Sequence, residues 1–201
     1  MSFDLIIAGV GGQGAILLSD IIGSAAVKAG KSVRAAETHG MAQRGGSVEI
    51  HLRINCKYGS LVALRSANVL LGLEPLEALR YARYLAEDGI AIVNMAKIPP
   101  QSVILGKAVY PADEEITTSL RQFCRAVITL DAVELAKLAG TSIAMNIVML
   151  GALSKFLPIS EKLLRVSIAA HVPKKMIEVN LKAFELGKAV TSKVSSQLLY
   201  E

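Results

Sequence analysis

The fold is decided by the stretch Gly9-Val10-Gly11-Gly12-Gln13-Gly14, together with the apolar segments on either side of it. Residues 3–8 form an apolar run that is typical of a buried strand, and residues 15–29 form an apolar run that is typical of a helix. A glycine-rich turn between a first strand and a first helix is where α/β proteins bring bare backbone close to another group. The helix start offers unpaired N–H groups, which favour a phosphate or a carboxylate.

Length and composition indicate one well-buried domain. The chain has 201 residues, of which 52% are hydrophobic and 19% are charged. The longest near-continuous apolar run, residues 143–153, is far shorter than the roughly 20 residues of a bilayer span, so it predicts a buried helix. We expect no secretory signal, because Asp4 and the glycine loop interrupt any apolar core of such a signal. An apolar chain without a membrane span is expected to cover part of its surface with partner subunits.

Charge and cysteine content argue against several classes of function. The net charge is +5 and only 4% of residues are aromatic, so we expect solvated helix faces rather than a nucleic-acid surface. Cys56 and Cys124 lie far apart and form no CxxC motif, which predicts that this chain alone holds neither an Fe–S cluster nor a structural zinc. Two isolated thiols favour a reducing, cytoplasmic location.

Strand and helix signals alternate along the chain, which predicts an α/β fold: a three-layer Rossmann-like sandwich with a mostly parallel, mixed sheet. Apolar and polar residues alternate over residues 47–54, so this strand is expected to be half-exposed and either antiparallel or at an edge. The loop before it is too short for a helical crossover. The predicted strands are residues 3–8, 32–38, 47–54, 68–73, 89–94, 102–110 and 125–130.

The helical segments complete a single domain over residues 1–190, followed by a Ser- and Lys-rich tail at 191–201. Ser160 is a suitable N-cap for one helix, and Pro173 suits the first turn of the last. The predicted helices are residues 15–29, 75–87, 114–124, 132–139, 143–156, 161–171 and 173–189.

The glycine loop by itself allows two interpretations. Gly9-x-Gly11-x-x-Gly14 matches the dinucleotide-binding fingerprint, and Glu37 follows at about the distance of a ribose-binding acid. The same glycines also suit a tight turn with close helix–strand packing and no ligand. A free-standing nucleotide-binding protein or dehydrogenase, and a small-ligand sensor or assembly protein, are therefore open alternatives.

A second glycine-rich segment, residues 38–47, follows the second predicted strand and is expected at the same carboxyl edge of the sheet. Its glycines permit positive φ angles and close backbone approach. Arg44 can make a two-pronged contact with a carboxylate or phosphate, or it can pair with Glu37 or Glu49. His39 can equally be a loop histidine with internal hydrogen bonds. We interpret the two loops as one functional surface, which adds His39, Gln43, Arg44, Gly45 and Gly46 to the candidate site.

Both loops, in this order and spacing, carry a family resemblance. The first loop followed by Glu37-Thr-His-Gly-Met-Ala-Gln-Arg-Gly-Gly-Ser47 resembles the gamma-type subunits of the 2-oxoacid:ferredoxin oxidoreductases, and most closely their indolepyruvate type. Further similarity lies in Asn146-Ile-Val-Met-Leu-Gly151, in Pro173-Lys-Lys and in the segment from Asn180 to Gly187. The resemblance covers about residues 3–190, and it adds Asn146 to the candidate site.

The resemblance implies a component of a thiamine-diphosphate enzyme that decarboxylates a 2-oxoacid, passes electrons to ferredoxin through Fe–S clusters and forms an acyl-CoA. Thiamine diphosphate, Mg²⁺ and the clusters are then expected in larger partner subunits, with CoA as co-substrate and no cofactor in this chain. The chain shows no Gly-Asp-Gly…Asn thiamine signature, and we assign it no nucleophile and no general base. A homodimer is an option for the isolated chain, which is expected to be inactive.

Overall fold

The computed structural model describes residues 2–39 and 46–193, except for the side chains of His39 and Lys193. Strands and helices alternate through most of this part of the chain. The strands are β1 (Phe3–Val10), β2 (Val33–His39), β3 (Ser47–Ile54), β4 (Ala67–Gly72), β5 (Leu85–Asn94) and β6 (Ala126–Leu130). The helices are α1 (Ala15–Lys28), α2 (Pro75–Tyr81), α3 (Gln101–Ile104), α4 (Asp113–Leu120), α5 (Ala132–Ala139), α6 (Met145–Leu153), α7 (Glu161–His171) and α8 (Ile177–Lys193).

The six strands form one sheet in the order β2-β3-β1-β4-β5-β6. Strand β1 is parallel to β4, β4 to β5 and β5 to β6, whereas β3 is antiparallel to both of its neighbours. The sheet is thus mixed, and every strand except β3 runs in the same direction. This arrangement confirms the predicted α/β fold with a mostly parallel, mixed sheet.

Helices cover both faces of the sheet. One buried apolar cluster joins the sheet to α1, α5, α6, α7 and α8, and a second joins the opposite face to α2 and α4. From β1 the chain proceeds through α1 toward β2 and β3, and from β4 it proceeds through α2 toward β5. The chain therefore reverses its direction of winding between β1 and β4. In open α/β sheets this switch point is where ligands enter the crevice outside the carboxyl ends of the strands.

The apolar run that predicted a buried helix is α6, in which every residue is buried. It packs against α8 so closely that two glycines are required at the crossing. A Cβ at Gly151 would collide with the carbonyl oxygen of Phe184, and a Cβ at Gly187 would collide with that of Val148. The contact between the two helix backbones explains why Gly151 of α6 and Gly187 of α8 are both glycine.

Several predicted boundaries are wrong. Residues 102–110 are not a strand, because the chain there forms the short helix α3 and an irregular segment with no partner strand in the described sheet. The predicted helix 75–87 ends at Tyr81, and β5 begins already at Leu85. The helices predicted over 114–124 and 143–156 are shorter, and the last helix begins at Ile177 after a 3₁₀ turn and continues to Lys193. Residues 194–201 of the predicted tail lie outside the described residues.

Strand β3 shows why an alternating pattern can mislead. Its antiparallel orientation is confirmed, but it lies between β1 and β2 and is not an edge. Its polar residues are not half-exposed throughout, because Glu49 and His51 are 9% and 2% exposed. Nε2 of His51 lies 2.8 Å from Oε1 of Glu49, and Nδ1 accepts the Val62 N–H at 3.0 Å, so the two polar side chains satisfy each other and the backbone.

Among the described residues, no helix has the length and apolar character that a bilayer crossing requires.

Candidate functional site

The first glycine loop connects β1 to α1 at the carboxyl edge of the sheet. Gly12 and Gly14 have φ angles of 96° and 77°, in the region that favours glycine. Gly14 is the N-cap of α1, so no side chain caps this helix, whereas Glu74 and Asp131 cap α2 and α5. The first turn of α1 also has no acidic residue. The loop therefore leaves the positive end of α1 without a side-chain acceptor of its own.

Gln13 is a buried structural residue and not an exposed side chain at the edge of the sheet. Its side chain is buried, its Oε1 accepts the Val10 N–H at 2.8 Å, and its Nε2 donates to the Leu73 carbonyl oxygen at 2.9 Å. A Cβ at Gly9 would lie 2.7 Å from the same Oε1, so Gly9 makes room for this amide. The amide of Gln13 thus links the end of β1 to the residue that follows β4, across the switch point.

Asn94 extends this link to β5. It is fully buried, and its Nδ2 donates to the Leu73 carbonyl oxygen at 2.9 Å. Its Oδ1 accepts the N–H groups of Ala96 and Ala132 at 3.3 and 3.0 Å. Asn94 is not among the site residues predicted from the sequence. The available signal was a single polar side chain at the end of an otherwise apolar strand.

The base of the second loop contacts the first loop directly. The Gly11 N–H donates to the Gly46 carbonyl oxygen at 2.9 Å, and the following residue, Ser47, pairs with Val10 in the sheet. Gly46 therefore lies beside the glycine loop. Gln43, Arg44 and Gly45 lie outside the described residues, as does the side chain of His39.

A partly buried hydrogen-bond cluster anchors the start of β3 next to this contact. The Ser47 hydroxyl donates to Oε2 of Glu77 at 2.6 Å and lies 2.7 Å from the Tyr81 hydroxyl. Burial raises the pKa of the Glu77 carboxyl, and the hydrogen bond from Ser47 and the charge of Arg80 oppose that shift. This cluster was not predicted, because its members come from β3 and α2.

Glu74 holds the irregular segment after β5 against the same edge. Its side chain is 1% exposed and accepts the N–H groups of Glu77 at 2.9 Å and Ile98 at 3.2 Å, and the Tyr110 hydroxyl. Burial raises the pKa of Tyr110, and its hydrogen bond to Glu74 raises it further. Tyr110 is thus a neutral donor, and Glu74 is satisfied by groups of the protein itself.

Asn146 lies directly against the first loop, at the start of α6. It is 5% exposed, its Oδ1 accepts the Ile147 N–H at 2.9 Å, and its Nδ2 lies 3.4 Å from the Gly14 carbonyl oxygen. A Cβ at Gly14 would collide with this side-chain amide. Asn146 and the glycine loop line one pocket of about 500 Å³ together with the α5–α6 and α7–α8 connections.

Glu37 is the acidic residue that the dinucleotide interpretation assigned to the ribose. It does not lie at the position that ribose binding would require. Glu37 is on β2, where it pairs with Ile50 of β3, and Ile50 pairs with Ile7 of β1. Because strands are spaced by about 4.8 Å, Glu37 lies about 10 Å from β1. In the dinucleotide-binding fold the second strand lies directly beside the first. Here β3 lies between β1 and β2, so the sequence distance between Gly14 and Glu37 does not bring Glu37 next to the glycine loop.

Together, the sheet order and the glycine-loop edge define a Rossmann-like α/β domain whose switch point is occupied by its own glutamine amide. Residues 4–190 match the family model described as pyruvate ferredoxin/flavodoxin oxidoreductase. The chain belongs to this family, as its two loops led us to expect.

Three known proteins illustrate the similarity. The chain is 43% identical over 189 residues to a protein of Archaeoglobus fulgidus named indolepyruvate oxidoreductase subunit IorB, covering 93% of this chain and 94% of the relative. The structure of the pyruvate oxidoreductase subunit PORC of Thermotoga maritima aligns with a TM-score of 0.70 at 25% identity, over 94% of this chain and 96% of that one. The 2-oxoglutarate:ferredoxin oxidoreductase of Magnetococcus marinus shows the same fold, with a TM-score of 0.74 at 22% identity, over 96% of this chain and 32% of that one.

Proposed function

We propose that this chain completes the active-site assembly of a thiamine-diphosphate-dependent 2-oxoacid:ferredoxin oxidoreductase of the indolepyruvate or arylpyruvate type. The enzyme would oxidatively decarboxylate its 2-oxoacid, transfer the electrons to ferredoxin and release an acyl-CoA. The observation that carries the proposal is the identity to an indolepyruvate oxidoreductase subunit along nearly the whole length of both chains. Family membership supports the broader reaction class.

The cofactors of this reaction are assigned to larger partner subunits. The described residues do not fit an Fe–S cluster, because Cys56 and Cys124 are buried separately and no three potential metal ligands come together in that part of the chain. Thiamine diphosphate, Mg²⁺ and the clusters would supply the decarboxylation and electron transfer from those subunits. We therefore derive no chemical step from the side chains of this chain.

This chain would present the carboxyl edge of its sheet to the partner subunit. Gln13 and Asn94 fix the carboxyl ends of β1, β4 and β5, and the Gly11–Gly46 hydrogen bond ties the second loop to that frame. The positive end of α1 has no side-chain cap, and Arg44 adds a permanent cation to the second loop. We expect the edge to hold a negative group, which is a CoA phosphate, the 2-oxoacid carboxylate or an acidic side chain of the partner.

Other properties follow from the same proposal. Ferredoxin would dock on the complex rather than on this chain alone, and the complex would work in the cytoplasm. Neither nucleic acid nor a membrane is proposed as a partner. A homodimer of the isolated chain is an option that does not affect the assignment.

Purification of the native assembly tests the function. The chain is tagged in its own cells, purified without oxygen, and assayed for CoA-dependent reduction of viologen by indole-3-pyruvate, phenylpyruvate, pyruvate and 2-oxoglutarate. We expect a co-purifying thiamine and Fe–S subunit, with arylpyruvates as the better substrates. The recombinant chain alone is the control and should be inactive. A native preparation that contains this chain but no thiamine-dependent enzyme would contradict the proposal.

A further inference from the structure

The connection between β3 and β4, residues 55–66, presents large apolar side chains to solvent. Tyr58, Leu61 and Leu64 are 80%, 60% and 61% exposed. The last residue of β3 pairs with the first residue of β1, so the β3–β4 connection lies at the edge of the sheet opposite the glycine loops. A single exposed apolar residue is normal in a folded protein, whereas several in one short segment indicate a surface that a partner covers.

Side chains of β3 hold this connection in place. Nδ1 of the buried His51 accepts the Val62 N–H at 3.0 Å, and Nη1 of Arg53 donates to the Leu61 carbonyl oxygen at 3.1 Å. Val62 is 3% exposed and belongs to the apolar cluster that α2 and α4 cover. Leu61 and Leu64 are therefore exposed on a backbone that is anchored to the core, and not on a loosely attached segment.

Both ends of the connection have an unusual backbone conformation. Asn55 and Arg65 each have a φ angle of 57°, in the left-handed region that residues other than glycine rarely adopt. Each is held by its backbone: the Asn55 N–H donates to the Ser32 carbonyl oxygen at 2.8 Å, and the Arg65 N–H donates to that of Arg83 at 3.0 Å. Such conformations persist only where the surroundings maintain them, and they concentrate at functional surfaces. A surface with a fixed shape also loses little conformational entropy when it binds.

The β3–β4 connection is basic as well as apolar. No aspartate or glutamate occurs in the sequence between Glu49 and Glu74, whereas Lys57 and Arg65 are both exposed. Arg65 lies 3.8 Å from Glu87, but both side chains are mostly exposed and such a pair contributes little. Within the described part of the chain, Lys57 has no ion-pair partner.

A depression of about 410 Å³ lies next to Lys57, and Arg53 and Tyr58 also line it. Nε and Nη2 of Arg53 donate to the two carboxylate oxygens of Asp4 at 2.8 and 3.0 Å, so the charge of Arg53 is compensated within the chain. Lys57 is therefore the cation of this depression that is available to another molecule. A lysine beside an exposed tyrosine suits a carboxylate that is flanked by apolar groups.

We infer that the β3–β4 connection docks an acidic, partly apolar segment of a partner protein. A carboxylate of that segment would pair with Lys57, and its apolar side chains would pack on Tyr58, Leu61 and Leu64. The identity of the partner rests on the proposed function, under which it is the larger subunit, and that subunit would then contact this chain at both edges of the sheet. A symmetric contact with a second copy would bring like charges together, and nucleic acid would need a denser set of cations.

Carbodiimide cross-linking of the native complex tests the contact. The reagent joins a lysine amine to a carboxylate that touches it, and mass spectrometry identifies the joined peptides. We expect Lys57 to be coupled to an aspartate or glutamate of the larger subunit, and to be protected from acetylation in the complex but not in the isolated chain. Equal acetylation of Lys57 in both samples, coupling only to a second copy of this chain, or protection that nuclease treatment removes would overturn the inference.

Matched substitutions measure the contribution of the surface to assembly. Leu61→Ser should raise the dissociation constant of the reconstituted complex roughly 5- to 30-fold, whereas Val27→Ser, at a residue on α1 that is 63% exposed, should leave it unchanged. Lys57→Glu should raise it roughly 3- to 30-fold at low salt and less at high salt, with Lys155→Glu as the exposed control. Because these side chains are exposed, the melting temperatures of the isolated variants should not change. Equal effects of the test and control substitutions would contradict the docking surface.

The result is separable from the test of the proposed function. Lys57 that stays reactive in an active arylpyruvate-oxidising complex would overturn the docking surface and leave the function in place. Coupling of Lys57 to an acidic segment of a protein that is not a thiamine-dependent enzyme would overturn the function and leave the docking surface in place.

Discussion

Nε2 of Gln13 donates a hydrogen bond to the carbonyl oxygen of Leu73 at 2.9 Å, and this contact bridges the switch point between β1 and β4. In an α/β sheet that crevice is the place where a ligand is expected. Here a side chain of the glycine loop occupies it. The Gln13 amide thus ties the ends of β1 and β4 together, and a pocket of about 500 Å³ lies beside the start of α1.

Gln13→Leu should destabilise the isolated chain. The substitution leaves the Val10 N–H without its acceptor in a buried place, which costs about 1–3 kcal/mol of unfolding free energy. Urea denaturation measures the loss. Gln122→Leu, at an exposed position, is the control and should change the stability little. Equal stabilities of the two variants would show that the amide bridge contributes nothing.

The isolated chain should not bind NAD(H) with micromolar affinity. Gln13 occupies the crevice at the switch point, and Glu37 lies two strands from β1, so the ribose lacks its usual acidic partner. Calorimetric titration with NADH should show no saturable heat, and Glu37→Ala should behave like the unchanged protein. One-to-one micromolar binding that disappears in Glu37→Ala would restore the dinucleotide interpretation.

Gly187→Ala should strongly destabilise the domain, by more than about 3 kcal/mol, because its Cβ would overlap the backbone of α6 and the helices would have to separate. Gly23→Ala, within α1, is the matched control. Its Cβ would meet only Val33, at 3.9 Å, so it should be neutral or stabilising by up to about 1 kcal/mol. Thermal unfolding distinguishes the two, and similar melting temperatures would contradict the close crossing of α6 and α8.

Glu77→Gln should change how stability depends on pH. Because burial raises the pKa of Glu77, the folded protein binds its proton more tightly than the unfolded chain, whose carboxyl titrates near 4.3. Stability from this group is present below pH 4 and is lost as the pH rises through the raised pKa. The variant should therefore gain stability relative to the unchanged protein between pH 4 and 7. Glu87→Gln, whose side chain is exposed, is the control, and a constant difference across this range would contradict the assignment.

Arg44→Ala should impair the reconstituted complex more than the isolated chain. Loss of one charge-assisted hydrogen bond costs about 1.5–3 kcal/mol, which corresponds to a decrease in kcat/KM of roughly 10- to 150-fold. Arg44→Lys should recover only part, because the two-pronged geometry is lost. Thermal unfolding of the isolated variants is measured in parallel. Reduced stability with unchanged turnover per assembled complex would mean that Arg44 only stabilises the fold.

The amino-acid sequence determined the class of fold and the family. Local signals suffice there, because a strand covered on both faces is a short apolar run and a buried helix is a longer one, as in α6. The two glycine loops were recognisable because glycine leaves a local signature wherever backbone must turn sharply or approach closely. The prediction of a strand over residues 102–110 was wrong for the complementary reason. The apolar residues of this segment resemble those of a strand, but no strand of the described sheet pairs with them.

Only the tertiary structure decided which polar side chains hold strand ends together and which line the pocket beside α1. Gln13, Asn94 and Glu74 satisfy backbone groups that follow other strands, and a hydrogen bond between residues 60 positions apart has no local pattern. The insertion of β3 between β1 and β2 likewise moved Glu37 away from the glycine loop without changing its spacing in the sequence. The pocket beside α1 depends on three connections meeting at one place. Such meetings are set by the packing of α6 on the sheet and of α8 against α6, because the positions of distant segments are fixed only when the core is formed.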